Sequence, residues 1–317
     1  MYGIAPSSSK LVALISTDVK SSTEIIYNHE IGENLMKHIR FDWAIKKILR
    51  DKANFVILEG FISELLGRSI LIDSILESES NPWAEETKLN RVDILARGDR
   101  GELMLIEVQN STEQDYFHRM LYGASNLITE YLDRGEPYGK VKKVYSINIV
   151  YFSLGRGNDY IYQSQFEFIG RHQNDRLNLS PTQKQLFNLE EIYQIFPEYF
   201  IIQVNKFPDI TQDTLDEWVY FLKNSEIPET FHAKGLPEAK ERLTEEQLPP
   251  EERSSYRQYL KDKQYEISIL ETTKAAAKLE GQQEEKRSIA RSLKESGVGI
   301  DLIAQVTGLT IAEVENF

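Results

Sequence analysis

The chain has 317 residues, 41% of them hydrophobic, and a formal net charge of −13. This composition excludes a disordered chain, and the acidic balance argues against a nucleic-acid coat, which binds phosphate through a basic surface. With no cysteine, disulfides and thiolate zinc sites are excluded. The first residues offer only Leu11 to Ile15 as an apolar run and no basic n-region, so neither a signal peptide nor a membrane span is expected. A cytoplasmic protein without a membrane partner is the expectation.

The first 35 residues precede any recognisable pattern and read as an N-terminal extension. Residues 41–67 repeat apolar positions at helical spacing and end at Gly67, a natural C-cap, so a helix is expected there. Residues 70–76, 89–96 and 102–109 read as strands, the last two joined by 97-RGDRG-101, whose glycines suit a hairpin loop. Next, 111-STEQ-114 fits a capping box with Ser111 as N-cap and Gln114 as its reciprocal partner. The helix it opens runs over 115–135, with Phe117, Leu121, Ala124, Ile128 and Leu132 as the expected buried stripe. Residues 142–154 are strongly β-prone, and two short strands are expected at 159–170 and 184–191. The order to this point is α-β-β-β-α-β.

From about Pro228 the composition turns to Lys, Glu, Gln and Ala, and 226–286 reads as a charged linker leading into a long solvated helix. Residues 287–317 scan as three short helices separated at Gly297 and Gly308, resembling a helix-turn-helix. A recognition helix should be basic, yet 310-TIAEVENF-317 carries no Lys or Arg. An assembly module is the competing reading, and it makes the C-terminal helices candidates for homo-oligomer formation.

The hairpin raises the chemical question. Side chains alternate along a strand, so Leu103, Leu105, Glu107 and Gln109 share one face, and Met104, Ile106 and Val108 the other. Both faces are largely apolar, as in a central strand covered on both sides. A carboxylate there is costly unless paired, protonated or bound to a cation. If the hairpin closes around Asp99, Asp93 lies opposite Leu105 and diagonal to Glu107, with Cβ atoms roughly 7–8 Å apart. Two carboxylates across that gap can grip one octahedral cation, whose oxygen ligands sit at about 2.0–2.1 Å. The bland alternative is a pair of solvent-facing acids on an ordinary hairpin.

Asp93 followed one strand later by Glu107-Val108-Gln109, within the α-β-β-β-α-β order, resembles the PD-(D/E)XK nuclease superfamily. The match is closer to the Rpn-type recombination-promoting nucleases and putative transposases. Further residues that carry the resemblance are 42-DWAIKKIL-49, similar to a D-x-x-F-K-x-x-F opening, 61-FISELLG-67, 119-RMLYGASNLITEYLDRGEPY-138 and 145-YSINIVYF-152. It implies an α/β restriction-endonuclease-like core over 36–225, a mixed central sheet flanked by helices, with a helical C-terminal extension. It also implies a metal-dependent phosphodiesterase acting on DNA. By carry-over, Asp93 and Glu107 would be Mg²⁺ (or Mn²⁺) ligands, the Val108 carbonyl a third oxygen, and Gln109 a catalytic position where the signature has Lys. The superfamily often adds a Glu from the first helix; Glu59 and Glu64 both qualify. On the second helix, Arg119, Tyr122 and Asn126 form a stripe that suits a DNA phosphate, unless Arg119 simply pairs with Asp115.

Other chemistry drops out. The five histidines show no metal-ligand spacing, and no G-x-S-x-G, Walker loop or dinucleotide fingerprint occurs. Two function classes remain: an active Mg²⁺-dependent DNA endonuclease, and a transposase-derived protein that binds DNA or itself without cutting.

Overall fold

The computed structural model describes residues 37–76, 93–132 and 135–317. The expected N-terminal extension over 1–35 and the first residues of the strand expected at 89–96 lie outside these described residues. The helix expected over 41–67 is two helices, α1 (Phe41–Lys47) and α2 (Phe55–Leu66). Asp51 causes the break: its side chain accepts the Ala53 N–H and caps a 3-10 turn over Lys52–Asn54, the competing local bond that takes Asp out of helix interiors. Gly67 ends α2 in the left-handed region, at φ 63°, where glycine pays no Cβ penalty.

The strands are β1 (Ile72–Leu76), β2 (Ile94–Gly98), β3 (Leu103–Gln109), β4 (Val144–Val150), β5 (Ile161–Gln163) and β6 (Glu198–Gln203). They form one sheet in the order β1-β2-β3-β4-β6-β5. The β1–β2, β2–β3 and β5–β6 pairs are antiparallel, while β3–β4 and β4–β6 are parallel. The sheet is therefore mixed, and β3 lies in its interior, buried throughout except at Gln109.

Helix α3 (Tyr116–Glu130) covers one face. Its Ala124 and Leu127 pack with Leu95, Leu103, Leu105 and Val144, and its Tyr116 and Met120 pack with Val150 and Phe152. The expected stripe through Phe117 and Leu121 is thus rotated by one residue: both side chains are more than half exposed. The two stripes have the same three-and-four spacing, and Tyr116 wins because its hydroxyl finds Asn148 Oδ1 inside the core at 3.3 Å. Nor does Ser111 cap the helix. The N-cap is Asp115, without a side-chain capping bond. At Gly123 a Cβ would stand 3.2 Å from Leu105 Cδ2, so the glycine lets α3 lie close on β3.

A second helical layer is built from α1, α2 and α5 (Thr214–Asn224) around an aromatic cluster of Phe41, Phe61, Trp218 and Phe221. Edge-on contacts of this kind follow from the ring quadrupoles. Of residues 184–191, expected as a strand, the first half lies in helix α4 (Pro181–Phe187) and the rest is not strand. Ser180 and Gln183 form a capping box there with proline in the first turn, a start signal that outranks the β-propensity of Leu186 and Phe187. Helix α6 (Leu236–Arg242) buries Leu236 and Ala239. Gly60 meets the segment before it so closely that a Cβ would lie 2.2 Å from the Lys234 carbonyl oxygen.

The chain divides into two units after Gln247. The second begins with α7 (Pro250–Glu295), a single 46-residue helix that buries only Tyr256 and Ala290. Gly297 and Gly308, both at positive φ, separate it from α8 (Ile300–Thr307) and α9 (Ile311–Glu315). Ala290, Ile303 and Val314 form the centre of this small core. Ile289, Val306 and Ile311, apolar positions in the same stretch, are exposed.

Candidate functional site

The hairpin is closed by Asp99, Arg100 and Gly101, with Gly101 at φ 81° and the Gly98 N–H bonded to the Glu102 carbonyl at 2.9 Å. This is the three-residue loop ending in a left-handed glycine. It centres the turn on Arg100 rather than Asp99, and Ile94 pairs with Ile106, Leu95 with Leu105. Continuing that register by one residue brings Asp93 level with Glu107, where the sequence suggested a diagonal. One side-chain oxygen of Asp93, Oδ2, accepts the Val108 N–H at 2.7 Å. The other, Oδ1, lies 3.3 Å from Lys46 Nζ of α1. Its main-chain carbonyl accepts from Arg50 Nη2 at 2.6 Å. Asp93 is thus tied to β3 on one side and to the end of α1 on the other.

Glu107 alternates with Leu103 and Leu105 on the face under α3, and only 4% of it is exposed. Burial pushes its carboxyl above the ordinary carboxylate range; the Arg119 guanidinium opposes this, and the charges of Asp93 and Glu113 add to it. Arg119 Nε stands 3.6 Å from Glu107 Oε2. Its Nη1 donates to both oxygens of Glu113, at 2.9 and 3.1 Å. The ion partners of Arg119 are therefore Glu113 and Glu107, not the Asp115 side chain. Gln109 also donates to Glu113, at 2.7 Å, and to the Ser111 carbonyl at 3.3 Å. Burial, with Glu107 beside it, pushes the Tyr116 hydroxyl up, so it stays protonated.

A further carboxylate, from α1, approaches the same end of β3. Asp42, buried, accepts two hydrogen bonds from the Arg40 guanidinium and a third from Asn110 Nδ2 at 3.1 Å. The helix-borne glutamates are engaged otherwise. Glu59 accepts the Ile72 N–H at 2.8 Å, closing the α2–β1 connection. Glu64 accepts from the Thr214 hydroxyl and the Lys234 N–H, joining α2 to α5 and the segment before α6. Tyr122 and Asn126 lie on the exposed face of α3. Asp42 and Lys46 entered only as part of the D-x-x-F-K-like opening, without a site role, and Asn110 and Glu113 were not singled out from the sequence. For the first two a signal exists: four residues apart in 42-DWAIKKIL-49, they share one side of a helix.

The two carboxylates suit a divalent cation of the hard, oxygen-seeking kind. Mg²⁺ keeps several waters and is held by one or two carboxylates plus substrate phosphate. Among the described residues no three His, Cys, Asp or Glu side chains cluster as a metal site. Asn110 Oδ1, next to this end of β3, is a buried acceptor without a hydrogen-bond partner, and buried polar atoms of that kind ordinarily meet water or a ligand.

No helix among the described residues is long and apolar enough to cross a membrane. No curated protein and no solved structure matches the chain. The mixed sheet flanked by helices, with two carboxylates level near the C-terminal end of its central strand, away from the hairpin turn, coincides with a match over residues 39–273, and by that match the chain belongs to the PD-(D/E)XK nuclease family transposases.

Proposed function

We propose that this protein is a divalent-metal-dependent DNA endonuclease that hydrolyses phosphodiester bonds. The observation that carries the reading is Glu107, a carboxylate 4% exposed in an apolar central strand, with Asp93 level with it across the hairpin. A fold keeps such a costly group where it is used. Asp93 and Glu107 would hold Mg²⁺ or Mn²⁺, with the Val108 carbonyl as a third oxygen. Such an ion polarises a phosphoryl group and lowers the pKa of bound water.

The chain's own residues prepare that site. The Val108 amide orients Asp93 by donating its N–H to the carboxylate. Arg119, anchored on Glu113, keeps a positive charge beside Glu107. Glu107 shares its strand face with Leu103 and Leu105, which pack under α3. Tyr122 and Asn126 offer polar groups on the exposed face of α3, suited to a DNA backbone, whose contacts position without reading sequence.

The test is nicking of supercoiled plasmid with Mg²⁺ against EDTA, alongside DNA binding by fluorescence anisotropy. Glu107→Ala should lose nicking and keep DNA binding, because removing an acid removes no phosphate contact. Equal nicking by wild type and Glu107→Ala would show that something else cuts. A second reading, a DNA-binding or self-associating protein that no longer cuts, is favoured by one observation: the Gln109 amide is uncharged and tied to Glu113 and Ser111. Absence of nicking by the wild type on varied DNA with either metal supports that reading instead.

A further inference from the structure

Hydrolysis of a phosphodiester forms a bond from a water oxygen to phosphorus. It breaks the bond to one bridging ester oxygen, which leaves with the electron pair and takes up a proton, while the water's proton passes to solvent. Negative charge gathers on the phosphoryl region during the step, and a fixed cation beside it lowers the barrier. Gln109 supplies no such charge.

Among the described residues, three side-chain cations approach Asp93 or Glu107, and two of them are committed. Arg119 is matched by Glu113 at 2.9 Å and Glu107 at 3.6 Å. Arg50 is turned onto the main-chain carbonyl of Asp93. Lys46 differs. Among the described residues its ammonium has a single ionic partner, Asp93 Oδ1 at 3.3 Å, and its side chain is 50% exposed. The helix that carries it is firmly seated, since Phe41 and Ile45 are buried and Phe41 packs edge-on against Phe61 and Trp218. Asp42, on the same helix side, does not draw Lys46 away, because Arg40 already neutralises it. The ammonium is thus a compact charge on a flexible stem, rooted in a rigid element and open to solvent, beside the carboxylate end of β3.

We infer that Lys46 is a catalytic residue: it supplies, from the first helix, the positive charge at the scissile phosphate that position 109 lacks. This rests on the nuclease reading above. The ammonium also competes with a divalent cation for Asp93 Oδ1, which gives the inference a consequence apart from activity.

The experiment compares wild type, Lys46→Met, Lys46→Arg, Lys46→Met/Gln109→Lys and Glu107→Gln. Mg²⁺-dependent plasmid nicking is measured, and Mn²⁺ binding is titrated calorimetrically without DNA. Lys46→Met should lower nicking on the order of 10²-fold, the usual cost of removing one preorganised charge-stabilising group. Lys46→Arg should retain most of the activity, and adding Gln109→Lys to Lys46→Met should recover much of the loss. Lys46→Met should bind Mn²⁺ at least as tightly as wild type, whereas Glu107→Gln loses that binding. Wild-type nicking by Lys46→Met, with none by Glu107→Gln, overturns the inference and leaves the nuclease reading standing. Mn²⁺ binding weakened as much in Lys46→Met as in Glu107→Gln reduces Lys46 to a scaffold for Asp93 and also overturns it. A wild type that nicks no DNA with either metal overturns the nuclease reading and this inference with it.

Discussion

Replacing Asp93 separates its structural work from its charge. Asp93→Ala removes the acceptor of the Val108 N–H, a 2.7 Å bond in the sheet interior. A hydrogen bond to a charged group contributes about 1.5–3 kcal/mol. It also removes the pairing with Lys46, which is half exposed and is worth about 0–1 kcal/mol after solvent screening. Against this stands relief of repulsion with Glu107, already offset by Arg119 at 3.6 Å. The loss outweighs the relief, and the metal-free protein should be destabilised by about 2 kcal/mol, a fall in Tm of roughly 4–8 °C for a unit of this size. Asp93→Asn keeps an oxygen for the Val108 N–H while discarding the charge, so it should melt close to wild type. The assay is thermal melting in EDTA at neutral pH. Asp93→Ala melting at or above Asp93→Asn would refute the reasoning, since the amide capping would then contribute nothing.

Other outcomes follow from the same geometry. Because burial raises the Glu107 carboxyl above the ordinary glutamate value of 4.5, the folded state binds that proton more readily than the unfolded chain. The stabilisation is fully present below pH 4.5 and is lost as pH rises through the folded value. Glu107→Gln should therefore gain Tm relative to wild type as pH increases in the metal-free protein, and parallel melting curves across the pH series would sink the idea. Gly60→Ala should destabilise by about 3 kcal/mol or more in urea unfolding, because its Cβ would meet the Lys234 carbonyl oxygen at 2.2 Å; an unchanged midpoint would mean that the 234–235 segment is not packed as described. Gln109→Lys should nick at least as fast as wild type, since the new ammonium sits beside the developing phosphoryl charge; a tenfold loss would indicate that the Gln109–Glu113 bond matters more than the charge.

Much was legible in the residues themselves. Apolar residues on both faces of 102-ELMLIEVQ-109 marked a doubly covered strand, and β3 is that strand, paired on both sides and buried on both faces. The glycines of 97-RGDRG-101 marked the turn, and Gly67 the end of α2, because local backbone strain dictates where glycine is needed. The two acids in the hairpin stood out because ionised groups are expensive in apolar strands.

What the sequence by itself determined was the set of periods, turns and anomalous charges, all of which are local. Tertiary structure decided the rest. Whether Tyr116 or Phe117 faced inward depended on Asn148, thirty-two residues away, offering a partner to the hydroxyl. Whether Asp93 stood level with Glu107 or diagonal to it depended on which residue centred the loop. The approach of Lys46 to Asp93 depended on how an aromatic cluster seats α1 against α2 and α5. Glu59 and Glu64, equally plausible as ligands by spacing, were drawn instead to Ile72, Thr214 and Lys234. A helical period is satisfied by several faces, and only the partners brought up by long-range packing decide which face is paired and which group is left to meet a substrate.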